Sequence, residues 1–191
     1  MYITPYAFDD GVRIDFRSPD QDLLQPIEAF KAAGGKAQIC LVDGWHTYAT
    51  STRDLNRMFT IIPDGGVIVV HDCLPPSRES ASPRFRRGEW CGVSYKAYLD
   101  FVFQKPNLDY CTVDCDYGCG IVIKGRSISD LLVENALASD IPARPSADLI
   151  ARCLANTTDF DAAYDLYAEN KTELTRLISA DSFARMFAPK P

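Results

Sequence analysis

The sequence has few histidines, no excess of basic residues and no long apolar run. Its formal net charge of −6 argues against nucleic acid as a partner, because phosphate binding needs clustered lysine and arginine. No apolar run approaches the length that spans a bilayer, and the first residues resemble no secretory leader. We therefore expect a cytoplasmic protein with no nucleic-acid partner and no membrane partner.

A disulfide framework is also not indicated, because the seven cysteines are an odd number without secretory features. This usage is typical of reduced thiols in a reducing compartment. Cys111, Cys115 and Cys119 are evenly spaced, but the spacing is not that of a zinc knuckle. We interpret these three residues as small buried hydrophobic side chains, with Cys111 and Cys115 in a strand-like run.

The chain is organised around a strand, helix and strand between residues 38 and 73. Residues 38–42 and 67–70 are short apolar runs rich in β-branched side chains, and a segment of helical length lies between them. This pattern predicts two parallel, buried strands joined by a helix. Asp43 and Asp72 follow these strands, so both are expected at the same edge of one sheet, where ligands bind in open α/β folds.

The remaining pattern predicts an α/β domain over residues 1–125 and a helical appendage over residues 126–191. In the first part we expect a strand over 11–16, a helix from Ser18 to about Ala33, and a hairpin of strands 108–113 and 119–123. The second part predicts helices only, over residues 127–138, 146–154, 160–178 and 179–187.

A polar loop over residues 74–89 follows Asp72 at the expected ligand edge. It is rich in proline, serine and arginine, and its length there is typical of a lid or a specificity element. The locally basic segment Arg84-Phe85-Arg86-Arg87 lies inside it, and a solvated loop is the favoured interpretation over an anion site.

Several motifs occur in a recognisable order. They are Asp43-Gly44-Trp45-His46, Arg53-Asp54-Leu55, Gly65-Gly66, His71-Asp72-Cys73, Trp90-Cys91-Gly92 and Tyr117-Gly118-Cys119-Gly120. Over about residues 11–124 the chain resembles the second half of the class I S-adenosylmethionine-dependent methyltransferases. It looks closest to a bacterial group of small-molecule methyltransferase-like proteins. The resemblance implies a Rossmann-like, mainly parallel sheet with flanking helices.

The resemblance also implies a cofactor and a metal at the same edge. Asp43 and Asp72 match the aspartates that hold a magnesium ion beside the acceptor hydroxyl in the metal-dependent O-methyltransferases, and two carboxylates suit a hard cation. Cys73 stands where an asparagine ligand is often found, and a thiol is a poor magnesium ligand. Asp43, Gly44, Trp45 and Ser18 match positions that contact S-adenosylmethionine.

Both histidines of the chain, His46 and His71, lie at this edge. Imidazole titrates near neutrality, so either can take the proton of an acceptor hydroxyl. His46, His71 and Asp43 are therefore the candidate catalytic residues, and a small-molecule hydroxyl is the candidate acceptor.

The glycine-rich turn and the acidic ribose-binding residue of the family have no counterpart in the sequence. By order, the strand at Val12 matches the family's third, so the resemblance implies a chain without the first βαβ segment. Such a chain would expose apolar sheet edges, and we expect a homo-oligomer or a partner that covers them. Three functions stay open: a methyltransferase, a non-catalytic interaction or scaffold module, and a metal-dependent hydrolase for which no nucleophile motif is found.

Overall fold

The computed structural model describes residues 24–132 and 141–187. The helices are α1 Leu24–Ala32, α2 Tyr48–Ile61, α3 Ser94–Gln104, α4 Ala147–Ala155, α5 Phe160–Thr175 and α6 Ala180–Phe187, with a 3-10 turn at Ile128–Leu131. The strands are β1 Ile39–Val42, β2 Val67–Val70, β3 Leu108–Asp114, β4 Cys119–Lys124 and β5 Leu177–Ser179. The strand expected over 11–16, the start of the helix expected at Ser18, and residues 133–138 of the helix expected over 127–138 lie outside the described residues.

The described strands form one open sheet in the order β1-β2-β4-β3-β5. β1 pairs with β2 and β3 with β5 in parallel, whereas β4 is antiparallel to both of its neighbours. Four strands therefore run in one direction and β4 runs against them. Helices packed on this mixed sheet confirm the predicted α/β class.

The first strand, helix and strand fold as the sequence predicts. β1 and β2 pair in parallel from Ile39 opposite Val67 to Val42 opposite Val70. The Oγ1 atom of Thr47 accepts a hydrogen bond from the backbone N–H of Thr50, and this cap starts α2 directly after the loop that follows β1. The apolar stripe of α2 is buried against the sheet.

Two apolar cores lie on opposite faces of the sheet. The larger core joins the inner faces of α1 to α5 with one face of β1 to β4, and the smaller joins the 3-10 turn, β5 and α6 with the other face of β3 and β4. On that second face, Ile39 is 72% and Leu41 is 48% exposed. The second face is therefore covered at β3 and β4 and open at β1.

The segment after residue 126 differs from the prediction that it contains helices only. Residues 177–179 form β5, which extends the sheet beside β3. The helix predicted over 160–178 ends at Thr175, because Arg176 takes the left-handed backbone conformation with φ 50. The domain boundary at residue 125 stays a prediction.

The hairpin of β3 and β4 is confirmed, with Leu108 opposite Lys124 and Val113 opposite Cys119. Its second strand, β4, lies between β3 and β2 in the sheet. Cys111 in β3 is buried, but Cys115 follows β3 and is exposed, so the expectation of a buried side chain is wrong at Cys115. Among the helices in the described part of the chain, none combines the length and apolarity needed to cross a membrane.

Candidate functional site

The candidate site lies where β1 and β2 end. β1 ends at Val42 and Asp43 follows, whereas β2 ends at Val70 and is followed by His71 and Asp72. The backbone N–H of His71 donates to the carbonyl of Val42 at 2.9 Å, so pairing of the two chains continues past the strands. The parallel direction of β1 and β2 therefore brings both aspartates to one edge.

Four titratable side chains meet at this edge. Asp72 Oδ2 lies 3.1 Å from His46 Nδ1 and 3.4 Å from His71 Nδ1. Asp43 Oδ1 lies 3.8 Å from His46 Nε2 and 3.6 Å from His71 Nδ1. Asp72 is buried, and the side chain of Asp43 is 39% exposed, so the cluster is closed on the side of Asp72 and open to solvent on the side of Asp43.

Three of these residues can hold a metal ion. Asp43, His46 and Asp72 each offer one ligand atom, and these atoms lie within 4.8 Å of one another. Cys73, the next residue, does not join them, because its Sγ donates to the carbonyl of Val70 and burial raises the pKa of its thiol well above the usual value. The donor set is two carboxylates and one imidazole.

The protonation of the cluster follows from its close contacts. The imidazoles of His46 and then His71 hold the pKa of Asp43 well below its usual range, although partial burial opposes them. The carboxylates of Asp43 and Asp72 raise the pKa of His71 to about 11. His71 is therefore an imidazolium at neutral pH in this arrangement, so it does not offer a lone pair to a substrate.

His46 is held differently. Burial lowers its pKa, but the carboxylates of Asp43 and Asp72 outweigh burial and the pKa is raised overall. Its Nδ1 lies 2.7 Å from the carbonyl oxygen of Trp90, which can only accept, so Nδ1 carries a hydrogen. In the neutral ring, Nε2 then carries the lone pair and lies on the side of Asp43.

The loop from residue 74 to residue 93 closes one side of the site. The backbone of Gly92 donates to Ser80 and that of Val93 donates to His46, both at 2.9 Å. Gly92 has φ 58, and a Cβ there would lie 2.0 Å from the carbonyl oxygen of His46. Glycine is therefore required for the loop to approach His46 this closely.

An aromatic cluster lies above the histidines. Trp90 stacks on His46 with ring centroids 5.2 Å apart, and Trp45 packs on Trp90 at 4.9 Å. Phe85 stacks on Trp45 at 5.3 Å and meets Trp90 edge to face at 5.2 Å. Trp45 and Phe85 remain 42% and 59% exposed, so they form an open aromatic rim beside the site.

The structure thus brings together Asp43, His46, His71 and Asp72, with Gly44 and Trp45 in the adjoining loop. Their chemical roles stay predictions. Ser18, the other expected cofactor contact, lies outside the described residues.

Two further contacts of the site were not singled out from the sequence. One is Trp90, which binds His46 through its carbonyl and its ring, and the other is Asp116, whose Oδ2 lies 3.2 Å from His71 Nε2. The motif Trp90-Cys91-Gly92 was a usable signal for the first, whereas Asp116 lies in the exposed turn between β3 and β4.

Comparison with protein-family models found no match for this chain, and comparison with curated proteins found none either.

Proposed function

We propose that this protein is a Rossmann-like, S-adenosylmethionine-dependent methyltransferase that acts on a small-molecule hydroxyl with the help of a divalent cation. The observation that carries the proposal is the meeting of Asp43, His46 and Asp72 at the ends of two parallel neighbouring strands. Ligands bind at this position in open α/β sheets. Because the fold alone does not fix an activity, the argument rests on the site.

The donor atoms fit a divalent cation. The lowered pKa of Asp43 keeps its carboxylate ionised, and the two aspartates supply the hard oxygen ligands that Mg²⁺ prefers. The imidazole of His46 adds a donor that Mn²⁺ and Zn²⁺ accept more readily than Mg²⁺ does. Asp43 and Asp72 would hold the cation, with His46 within reach as a third ligand.

The fit to the organic cofactor is partial. Trp45 offers an exposed ring at the rim and Gly44 lies beside it, which suits an adenine. Within residues 24–132 and 141–187 we identify no glycine-rich turn that would hold the remainder of the cofactor. When bound, S-adenosylmethionine would supply the methyl group.

The residues of the chain would then prepare the acceptor. The cation held by Asp43 and Asp72 would orient the hydroxyl and lower its pKa. The one lone pair of His46 Nε2 either binds the cation or takes the proton. Where the two aspartates alone hold the cation, His46 is the better placed of the two histidines to take the proton, because its Nδ1 is fixed by Trp90 and its Nε2 is free of hydrogen in the neutral ring. His71, ion-paired with Asp43, Asp72 and Asp116, would balance the negative charge of the acids.

The test is calorimetric titration with S-adenosylmethionine and with S-adenosylhomocysteine, with and without Mg²⁺ or Mn²⁺. We expect cation binding that Asp43→Asn and Asp72→Asn abolish. Asp114→Asn is the matched control, since this exposed aspartate ends β3 at the same edge of the sheet. If His46→Gln removes methyl transfer and keeps cation binding, His46 is the proton acceptor and not a ligand. The absence of heat at millimolar cofactor would refute the enzyme proposal.

A second function, an interaction or scaffold module, is favoured by the edge of the sheet at β1. In the described part of the chain β1 pairs only with β2, and Ile39 and Leu41 point apolar surface to solvent beside it. An unpaired strand edge with an apolar face is a template for another chain. We expect a homo-oligomer or a partner to cover it.

Light scattering after size exclusion tests this second proposal. We expect a mass above that of one chain at micromolar concentration, reduced to one chain in Ile39→Lys/Leu41→Lys. Lys36→Gln, an exposed change just before β1, is the control. A monomer in the wild-type protein would exclude self-association.

A further inference from the structure

The basic loop segment Arg84-Phe85-Arg86-Arg87 is attached to the candidate site by the aromatic ring at its centre. Phe85 contacts both Trp45 and Trp90, and Trp90 in turn contacts His46. The Nε1–H of Trp90 donates to the carbonyl of Ser82 at 2.7 Å, which ties the chain just before the segment to the same ring. The segment therefore has a fixed anchor at the rim.

The guanidinium groups of the three arginines in this segment have no partner among the described residues. Arg84, Arg86 and Arg87 are exposed, and within residues 24–132 and 141–187 no ion pair or hydrogen bond engages their guanidinium groups. Arg78, in the same loop, behaves differently: its guanidinium contacts Asp161 and Asp165 of α5. The three guanidinium groups are thus available to a ligand.

The ring of Phe85 is available too. It is 59% exposed although it packs on two tryptophans, and Trp45 beside it is 42% exposed. Among the described residues these are two of the most exposed large apolar side chains, and they are in contact. An apolar patch of this kind, rimmed by charge, is typical of a binding surface.

The charges at the two ends of this surface are of opposite sign. Asp43, Asp72 and Asp116 place three carboxylates beside the two histidines at the strand ends, whereas the loop segment is basic in a chain of net charge −6. A purely acidic rim would repel an anionic molecule. The arginines attract one, and they do so beside the cation-binding residues.

We propose that the acceptor is anionic: a hydroxyl compound in which a ring carries a carboxylate or phosphate group. The ring packs on Phe85, the anionic group binds the guanidinium groups of Arg84, Arg86 and Arg87, and the hydroxyl reaches Asp43 and Asp72. This inference rests on the proposed function of the site and adds the class of its acceptor. Guanidinium groups bind both anions through paired N–H donors.

The experiment uses pairs of probes that differ only in the anionic group. These are 3,4-dihydroxybenzoate against catechol, and 4-hydroxyphenyl phosphate against phenol, so that the two arms separate a carboxylate preference from a phosphate preference. Binding is measured by calorimetry in the presence of Mn²⁺. Tryptophan fluorescence gives the location, because both tryptophans of the chain, Trp45 and Trp90, lie in the aromatic cluster.

We expect at least one anionic probe to bind about tenfold more tightly than its neutral partner, because hydrogen bonds between charged guanidinium and anionic groups contribute about that much to affinity. The triple variant Arg84→Gln/Arg86→Gln/Arg87→Gln should lose this preference and keep the affinity for the neutral probe. Phe85→Ala should weaken both probes alike, because the ring contact is shared. Raised ionic strength should weaken only the anionic probe.

The matched control is Lys36→Gln/Arg152→Gln/Lys171→Gln, which removes the same charge from exposed positions elsewhere. It should leave the preference unchanged. Equal binding of anionic and neutral probes, no binding of any probe, or an unchanged preference in the arginine variant would each overturn the inference. A preference for the anionic probe without detectable methyl transfer would uphold this inference and refute the proposed reaction. Methyl transfer with equal affinities for the anionic and the neutral probe would uphold the proposed reaction and refute this inference.

Discussion

A buried ion pair in α3 holds the start of α2, and its removal offers a sharp test of the fold around the site. Lys96 is 1% and Asp100 is 2% exposed, and the two side chains form an ion pair within one helix. The hydroxyl of Tyr48 donates to the other oxygen of Asp100 at 2.7 Å. Because Tyr48 follows the loop of His46, this network fixes the loop against α3.

The change Lys96→Met removes the positive charge and keeps most of the side-chain stem. Asp100 would then be a buried carboxylate with Tyr48 as its remaining partner. Breaking a buried pair from one side costs about 3–5 kcal/mol of the free energy of unfolding. The double variant Lys96→Met/Asp100→Asn also removes the negative charge, and its asparagine still accepts the hydrogen bond of Tyr48. We therefore expect it to regain about 2 kcal/mol of the free energy of unfolding.

Urea unfolding followed by circular dichroism measures both values. For a protein of this size the single change should lower the urea midpoint by about 2 M, and the double change should restore about half of that. The exposed pair of Lys31 and Glu28, 3.2 Å apart, is the control, since Lys31→Met should cost less than about 1 kcal/mol. If Lys96→Met costs as little as Lys31→Met, or if the double variant is the less stable, the reasoning is wrong.

Three further predictions concern other parts of the fold. Burial alone would raise the pKa of Asp109, but the N–H of Ile128 and the guanidinium of Arg176 outweigh burial and lower this pKa overall. The ionised carboxylate of Asp109 therefore stabilises the fold above pH 3.8, and this stabilisation is lost at more acid pH. The stability difference between wild type and Asp109→Asn should therefore shrink as the pH falls below 3.8 in urea titrations. Gly92→Ala should lower the free energy of unfolding by more than backbone strain alone, which costs about 1–3 kcal/mol, because the new Cβ would also clash with the carbonyl oxygen of His46. Leu55→Ala, at a fully buried position of α2, should lower the unfolding free energy by about 2–5 kcal/mol.

Each of these has its own contrary result. A constant difference for Asp109→Asn across acid pH would show that the carboxylate is not stabilised in the fold. Gly88 is the control for Gly92, since it has φ 97 but nothing within 4 Å of its Cβ position, so equal losses at both would exclude a clash. A loss below about 1 kcal/mol for Leu55→Ala would place α2 outside the core.

The local pattern of the sequence was sufficient for the first strand, helix and strand. The β-branched runs before Asp43 and Asp72 are short-range signals, and the parallel pairing that brings the acids together follows from the crossover. The position of β4 between β2 and β3 was not readable in the same way, because it depends on which distant strands pair.

β5 was missed for a different physical reason. Leu177 and Ile178 continue the apolar spacing of α5, so periodicity alone extends the helix through them. The left-handed turn at Arg176 ends the helix, and this arginine is held in the folded chain by Asp109 and by the carbonyl of Pro142. These are tertiary contacts, as is the contact of Trp90 with His46, and they join residues far apart in the sequence, which apolar periodicity does not relate.

The backbone at Asp72 bears on how this protein can change over evolution. With φ 59, the residue occupies a conformation that asparagine, aspartate and glycine adopt with little strain and β-branched residues do not. A lineage can therefore exchange the carboxylate for an amide or a hydrogen at this turn without disturbing the sheet. The chemistry of this side chain and the architecture are separable here, and a descendant with asparagine or glycine at residue 72 would keep the same scaffold.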